Sequence, residues 1–125
     1  MNKRNMTSDL KNYSEYWHNK IQKRKELLTK RKKKLRNLAK DCADILKREF
    51  GVKEVYLIGS LLEDHKIHLN SDIDLAILGL KDEEYFLALR RLYSILPKNV
   101  NIDLIDIPTA SESMNELIKT QGEQL

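Results

Sequence analysis

Apolar residues mark the first fifty positions at a helical spacing. Trp17, Ile21, Leu28, Leu35, Leu38, Cys42 and Leu46 follow one another at intervals of three, four or seven, and residues 8–50 contain neither glycine nor proline. One stripe of a single long helix accounts for this pattern. Ser8 or Asp9 can cap its start, and Gly51 directly after Phe50 is a stop signal. Two intermediate seam positions, Arg24 and Arg31, are charged. The helix is therefore expected to dock from about Leu35 onward, with its earlier half projecting or held by a partner. The period then changes. "EVYLIG" (54–59), "DLAILGL" (74–80) and "VNIDLIDI" (100–107) are short runs rich in strand-forming residues. Between the second and third, "KDEEYFLALRRLYSIL" (81–96) puts Phe86, Leu89, Tyr93 and Leu96 on one helical face, and Pro97 ends it. After Pro108, Ser111 opens a last helical segment that Gly122 stops.

The order helix, strand, short turn or helix, strand, helix, strand, helix predicts an α/β (α+β) domain, with a three-stranded core sheet covered on one side by helices. At 125 residues the chain suits one domain with one modest core. Its single cysteine, Cys42, excludes an intrachain disulfide and a thiol zinc cluster. No run approaches the roughly 18 apolar residues of a membrane span, and the first residues are polar, so a cytoplasmic protein is expected. The net charge of +4 conceals a division. Residues 1–50 carry 16 Lys and Arg against 6 Asp and Glu, whereas residues 51–125 carry 7 against 13. A basic arm is joined to an acidic body, and the arm calls for an anionic partner.

The chemistry concentrates in "GSLLEDHKIHLNSDID" (59–74). Alternate strand residues share a face, so Asp72 and Asp74 stand together while Ile73, Leu75 and Ile77 turn to the core. Two carboxylates that close repel unless a cation lies between them. Hard oxygen donors favour Mg²⁺, which binds one or two carboxylates together with substrate phosphates. Asp103 interrupts the third apolar run and reaches the same region if its strand pairs with the second. Asp106 has the opposite parity and is expected at solvent or at the strand's end. Three acids on neighbouring strands suit a two-metal phosphoryl-transfer site. Gly59 lets the backbone turn sharply and approach a ligand, and Ser60 can cap a following short helix and donate to an anion.

This arrangement resembles the minimal nucleotidyltransferases of the DNA polymerase β superfamily. Their signature is a strand ending in Gly-Ser, about ten residues, Asp-x-Asp, and a third Asp on a later strand. The matching residues are Gly59, Ser60, Asp72, Asp74 and Asp103, and the likeness covers about residues 36–121. It implies a palm-like fold with a small mixed sheet and transfer of a nucleoside monophosphate, AMP from ATP, with Mg²⁺ as two ions. Asp72, Asp74 and Asp103 would be metal ligands and catalytic residues, Asp103 also activating the acceptor hydroxyl. Gly59, Ser60, Lys66 and Ser71 would hold the nucleotide. The chain divides accordingly into a basic helical extension, 1–35, and a nucleotidyltransferase domain, 36–125. Members of this family are commonly antitoxins that add AMP to a tyrosine of a HEPN-type ribonuclease toxin, which implies such a toxin as partner. The family's loop after Gly-Ser carries arginines; here it reads "LLEDHKIHLN", without arginine, with the acids Glu63 and Asp64 and only Lys66, His65 and His68 able to carry positive charge.

Other readings fail on position. An EF-hand would need oxygen ligands where "DIDLAILGLKDE" has Leu and Ala. A haloacid-dehalogenase nucleophile follows its strand, whereas here the strand follows the acids. His65 and His68 lack an obvious third zinc ligand, and Ser60 lacks a placed base for covalent catalysis. Tyr56, Tyr85 and Tyr93 read as core or rim. From Lys20 to Lys40 there are eleven basic residues and one acid, Glu26, a run that suits a solvated face, RNA phosphates or an acidic protein. Two function classes remain: an enzyme that modifies a partner protein, and a nucleotidyltransferase-fold module, weak or inactive in catalysis, that binds a toxin or RNA through residues 20–40. An oligomer is compatible with either.

Overall fold

The structure, a computed structural model, describes residues 3–62 and 72–125, with side chains described from residue 9 onward except those of residues 60 and 62. The first helix, α1 (Lys3–Phe50), is one uninterrupted element of 48 residues, about 72 Å long at 1.5 Å per residue. It starts ahead of the expected cap, so residues 8 and 9 lie inside it; nothing between Lys3 and Phe50 breaks the helix. Gly51, at φ +69°, ends it. Its stripe docks through Leu35, Ala39, Cys42, Ala43 and Leu46, all buried, with Leu28 at the margin. Every side chain from Asp9 to Leu27 is exposed.

The sheet contains β1 (Glu54–Ile58), β2 (Ile73–Leu78), β3 (Ile102–Asp106) and β4 (Glu123–Gln124), in the order β3-β2-β1-β4. β1 is antiparallel to β2 and β4, whereas β2 and β3 are parallel and joined through α2 (Tyr85–Tyr93). The mixed sheet and flanking helices agree with the sequence. The fourth strand is an addition. Its two polar residues carry no alternation to read, and it is held by tertiary bonds: Leu125 N donates to Val55 O at 2.9 Å, and the Arg36 guanidinium meets the Glu123 carboxylate at 2.5 Å.

The two faces are covered unequally. Val55, Leu57, Ile73, Leu75, Ile77, Ile102 and Leu104 form a core with α1 and α2. On the other face Ile58 and Ala76 meet Ile118 of α3 (Glu112–Gln121), with Tyr56, Ile105 and Met114 around them. Helices thus lie on both faces, not one, because α3 has an apolar edge of its own to bury. Ser111 caps α3, its hydroxyl accepting from Met114 N at 3.1 Å.

The orientation of α2 departs from expectation. Ala88 and Leu92 are buried, Phe86 is 79% exposed and Tyr93 is 41% exposed. In "YFLALRRLY" Arg90 and Arg91 mark the outer side, so the apolar direction runs through Tyr85, Leu89 and Leu92 and not through Phe86. Two phenols add to it. Tyr85 donates to Leu104 O at 2.7 Å, and the Tyr93 hydroxyl accepts from Ile102 N at 3.3 Å. Both satisfy backbone groups on the outer side of β3, an edge strand that would otherwise leave them unpaired.

Candidate active site

The sheet brings the predicted residues to one end. β1 runs into a tight 3-10 turn over Gly59–Leu62, and Gly59 holds φ +85°. Asp74, the second residue of β2, pairs with Ile58 on one side and with Asp103 on the other. Asp74 and Asp103 therefore occupy matched positions on adjacent parallel strands and, by the period of two, the same face. Ile73 N donates to Asn101 O at 3.0 Å and locks the two strand starts together. Asp72 lies just ahead of β2, exposed, two residues from Asp74. Asp103 is exposed and Asp74 half-buried.

The electrostatics follow from this placement. Burial raises the Asp74 carboxyl above its ordinary value, and the charges of Asp103 and then Asp72 raise it further. Both neighbouring acids thus act on Asp74. Gly59 closes the group from the β1 side: a Cβ there would lie 2.5 Å from Asp74 Oδ2. The glycine serves for space as well as for its backbone angle. Tyr85, read from sequence as core or rim, has its phenol raised by burial and then by Asp103 and Asp106. Its bond to Leu104 O fixes β3 immediately after Asp103, a role for which the sequence holds no spacing signal.

Asp106 takes no part. It pairs with Ile77 at the other end of β3, and its carboxylate receives the Thr109 hydroxyl at 3.4 Å. Lys66, Ser71, His65, His68 and the Ser60 side chain lie outside the described residues. A cavity of about 480 Å³ between α3 and the sheet, lined by Glu54, Tyr56, Leu78, Asn115 and Lys119, contains none of the three acids.

Among the described residues, no three His, Cys, Asp or Glu side chains are gathered closely enough to hold a metal ion. Donor chemistry and register nevertheless fit a hard divalent cation. The carboxylates of Asp74 and Asp103 share a row, and their mutual repulsion is what a bound cation relieves.

Comparison with known proteins agrees with this geometry. Residues 40–125 match the family described as polymerase beta, nucleotidyltransferase. No curated protein sequence matches the chain. Among solved structures, a chain of a MntA–HepT toxin–antitoxin complex is 26% identical, with a TM-score of 0.53, over 71% of this chain and 69% of that one. A toxin–antitoxin structure with AMP-PNP is 30% identical, with a TM-score of 0.55, over 67% and 69%. A complex of a tri-AMPylated Shewanella oneidensis HEPN toxin with its MNT antitoxin is 26% identical, with a TM-score of 0.54, over 72% and 70%. A Gly-Ser turn packed on an Asp-x-Asp strand, a third acid on the parallel neighbour, and a sequence match over that whole unit lead to one assignment: the chain belongs to the polymerase β nucleotidyltransferase family.

Proposed function

We propose that the chain is an adenylyltransferase that moves AMP from ATP onto a tyrosine hydroxyl of a HEPN-type toxin, and so acts as that toxin's antitoxin. One observation carries the reading: Asp74 and Asp103 stand in register on parallel strands with Gly59 packed against Asp74. Similarity to a MNT antitoxin in complex with a tri-AMPylated HEPN toxin supports the acceptor, and similarity to a structure with AMP-PNP supports the nucleotide.

Each residue then has a task. Asp72, Asp74 and Asp103 are the groups that would hold Mg²⁺, which when bound neutralises the phosphates and the leaving pyrophosphate. Asp103, the more exposed of the strand pair, accepts the proton of the acceptor hydroxyl. The acceptor oxygen bonds to the α-phosphorus as the bond to the β-phosphate oxygen breaks, and pyrophosphate departs. Gly59 and Ser60 lend the turn's backbone to the triphosphate, with Lys66 and Ser71 completing the nucleotide contacts.

The test is label transfer from α-labelled ATP, with Mg²⁺, to a purified HEPN-type toxin from the same organism. Native protein labels the toxin and Asp103→Asn does not. Absence of label with native protein, or equal label from the variant, rejects the reading. The exposed basic arm favours one second reading, a binding module that restrains its partner without chemistry. In that case Asp74→Asn still protects cells from the toxin.

A further inference from the structure

The arm of α1 carries an apolar seam that is exposed at Leu10, Trp17 and Ile21. Leu10, Trp17, Ile21 and Leu28 follow at seven, four and seven residues, and Leu35, Cys42 and Leu46 continue the series into the core. The same stripe that buries α1 in the domain therefore runs on beyond it. From Asp9 to Lys34 the helix runs for about 39 Å at 1.5 Å per residue, and along it only Leu28, Arg31 and Lys32 are even partly covered. Leu10 is 67%, Trp17 42% and Ile21 53% exposed. Tyr13 and Tyr16 meet Trp17 edge-on at 6.1 and 5.9 Å, and Lys20 Nζ lies 5.1 Å from the Trp17 ring centroid.

We propose that this seam is the docking surface for the HEPN-type toxin, which lays a helix with an acid-flanked apolar edge along it; the inference rests on the proposed function. Three observations select that occupant. The repeat of seven and four is the knob-and-hole period of paired helices, and RNA offers nothing to Leu10, Ile21 or Leu28. A second copy of the arm is excluded by charge, since residues 10–34 carry ten Lys and Arg against two Glu. Ser14, Arg24 and Arg31 fill the remaining seam positions, and the two arginines are cations that carboxylates flanking a partner's apolar edge would meet.

Placement gives the surface its use. The Arg36 guanidinium reaches Leu61 O at 3.5 Å, so α1 at that point is level with the Gly-Ser turn. Residues before it extend past the end of the sheet that carries Asp72, Asp74 and Asp103. α1 packs on the Ile73, Leu75 and Ile77 face of the sheet and the acids stand on the opposite face, so a toxin seated on the seam reaches the acid cluster around the open end of the sheet. The family match begins at residue 40, so the arm adds to the shared domain a handle of its own.

The test uses the full chain with Trp17→Asp and Ile21→Asp together, both exposed positions, and a purified HEPN-type toxin from the same organism as probe. Toxin affinity is expected to fall at least tenfold, and KM for the toxin to rise with kcat at saturation nearly unchanged, while binding of a fluorescent ATP analogue stays native. Toxin affinity equal to the native protein's overturns the inference. So does unaltered toxin binding accompanied by lost binding of single-stranded RNA, which would assign the arm to RNA. If the variant loses the toxin but native protein never labels it, docking on the seam stands and the transferase reading falls. If the native protein labels the toxin and the variant labels it equally well at low toxin, the reverse holds.

Discussion

A methyl group at residue 59 is the smallest change that reaches the acid cluster. It would enter the space of Asp74 Oδ2 at 2.5 Å and would sit on a backbone at φ +85°. Both effects oppose it, so Gly59→Ala is expected to cost about 1 kcal/mol or more of stability and to abolish label transfer, read by chemical denaturation and by the ATP assay. Asp74 behaves in the opposite sense. Its folded carboxyl titrates above its ordinary 3.8, so the folded state holds that proton more firmly than the unfolded chain does. Ionisation therefore weakens the fold: the penalty is absent below the unfolded value and complete above the folded one. In the presence of a chelator, Asp74→Asn should melt above the native protein at pH 7, and the gap should close as the pH falls toward 4. Added Mg²⁺ should raise the melting temperature of the native protein and not that of the variant. A native protein that melts higher than the variant at pH 7 in chelator would contradict the repulsion assigned to the site.

At the scale of elements, burial decides what chemistry a side chain keeps. Cys42 sits on the docked stripe of α1, and burial, with a smaller contribution from the charge of Asp41, pushes its thiol up to about 12. It should resist iodoacetamide in the native state and react once the chain is unfolded. Leu46 on the same stripe is wholly buried, and Leu46→Ala should cost about 2–5 kcal/mol in a urea titration. The elements that the sequence disclosed each carry a local signal: a helical stripe in α1, short strand-forming runs in β1, β2 and β3, and a start and stop residue in α3. The Gly-Ser turn and Asp-x-Asp follow because they adjoin such elements. Where the pattern is misjudged or missing the reading fails. The face of α2 lies opposite Arg90 and Arg91 and is fastened by Tyr85 and Tyr93 bonding to β3, and the two-residue β4 and the following Leu125 are held by Arg36, Lys47 and Val55. The alignment of Asp74 with Asp103 was legible only as a condition, that the strands pair. Contact between Gly59 and Asp74 was not legible at all, since it depends on how β1 turns out of the sheet.

At the scale of the molecule, the chain has one sheet domain and a lever of basic helix rising from its acid end. The boundary between them is a physical question, because α1 crosses it without a break. The shared family match starts at residue 40, yet Leu35 and Ala39 are fully buried and Leu28 packs at the margin of the same core. Two truncations separate these limits. Removing residues 1–27 deletes side chains that are exposed from Asp9 onward, so stability should change by no more than about 0.5 kcal/mol and ATP binding should persist. Removing residues 1–39 strips Leu35 and Ala39 from the core and Arg36 from both the Gly-Ser turn and β4. That chain should lose the cooperative unfolding transition seen by circular dichroism. If the shorter truncation also lost it, the arm would have to be holding the domain together, against the exposure of every described side chain from Asp9 to Leu27.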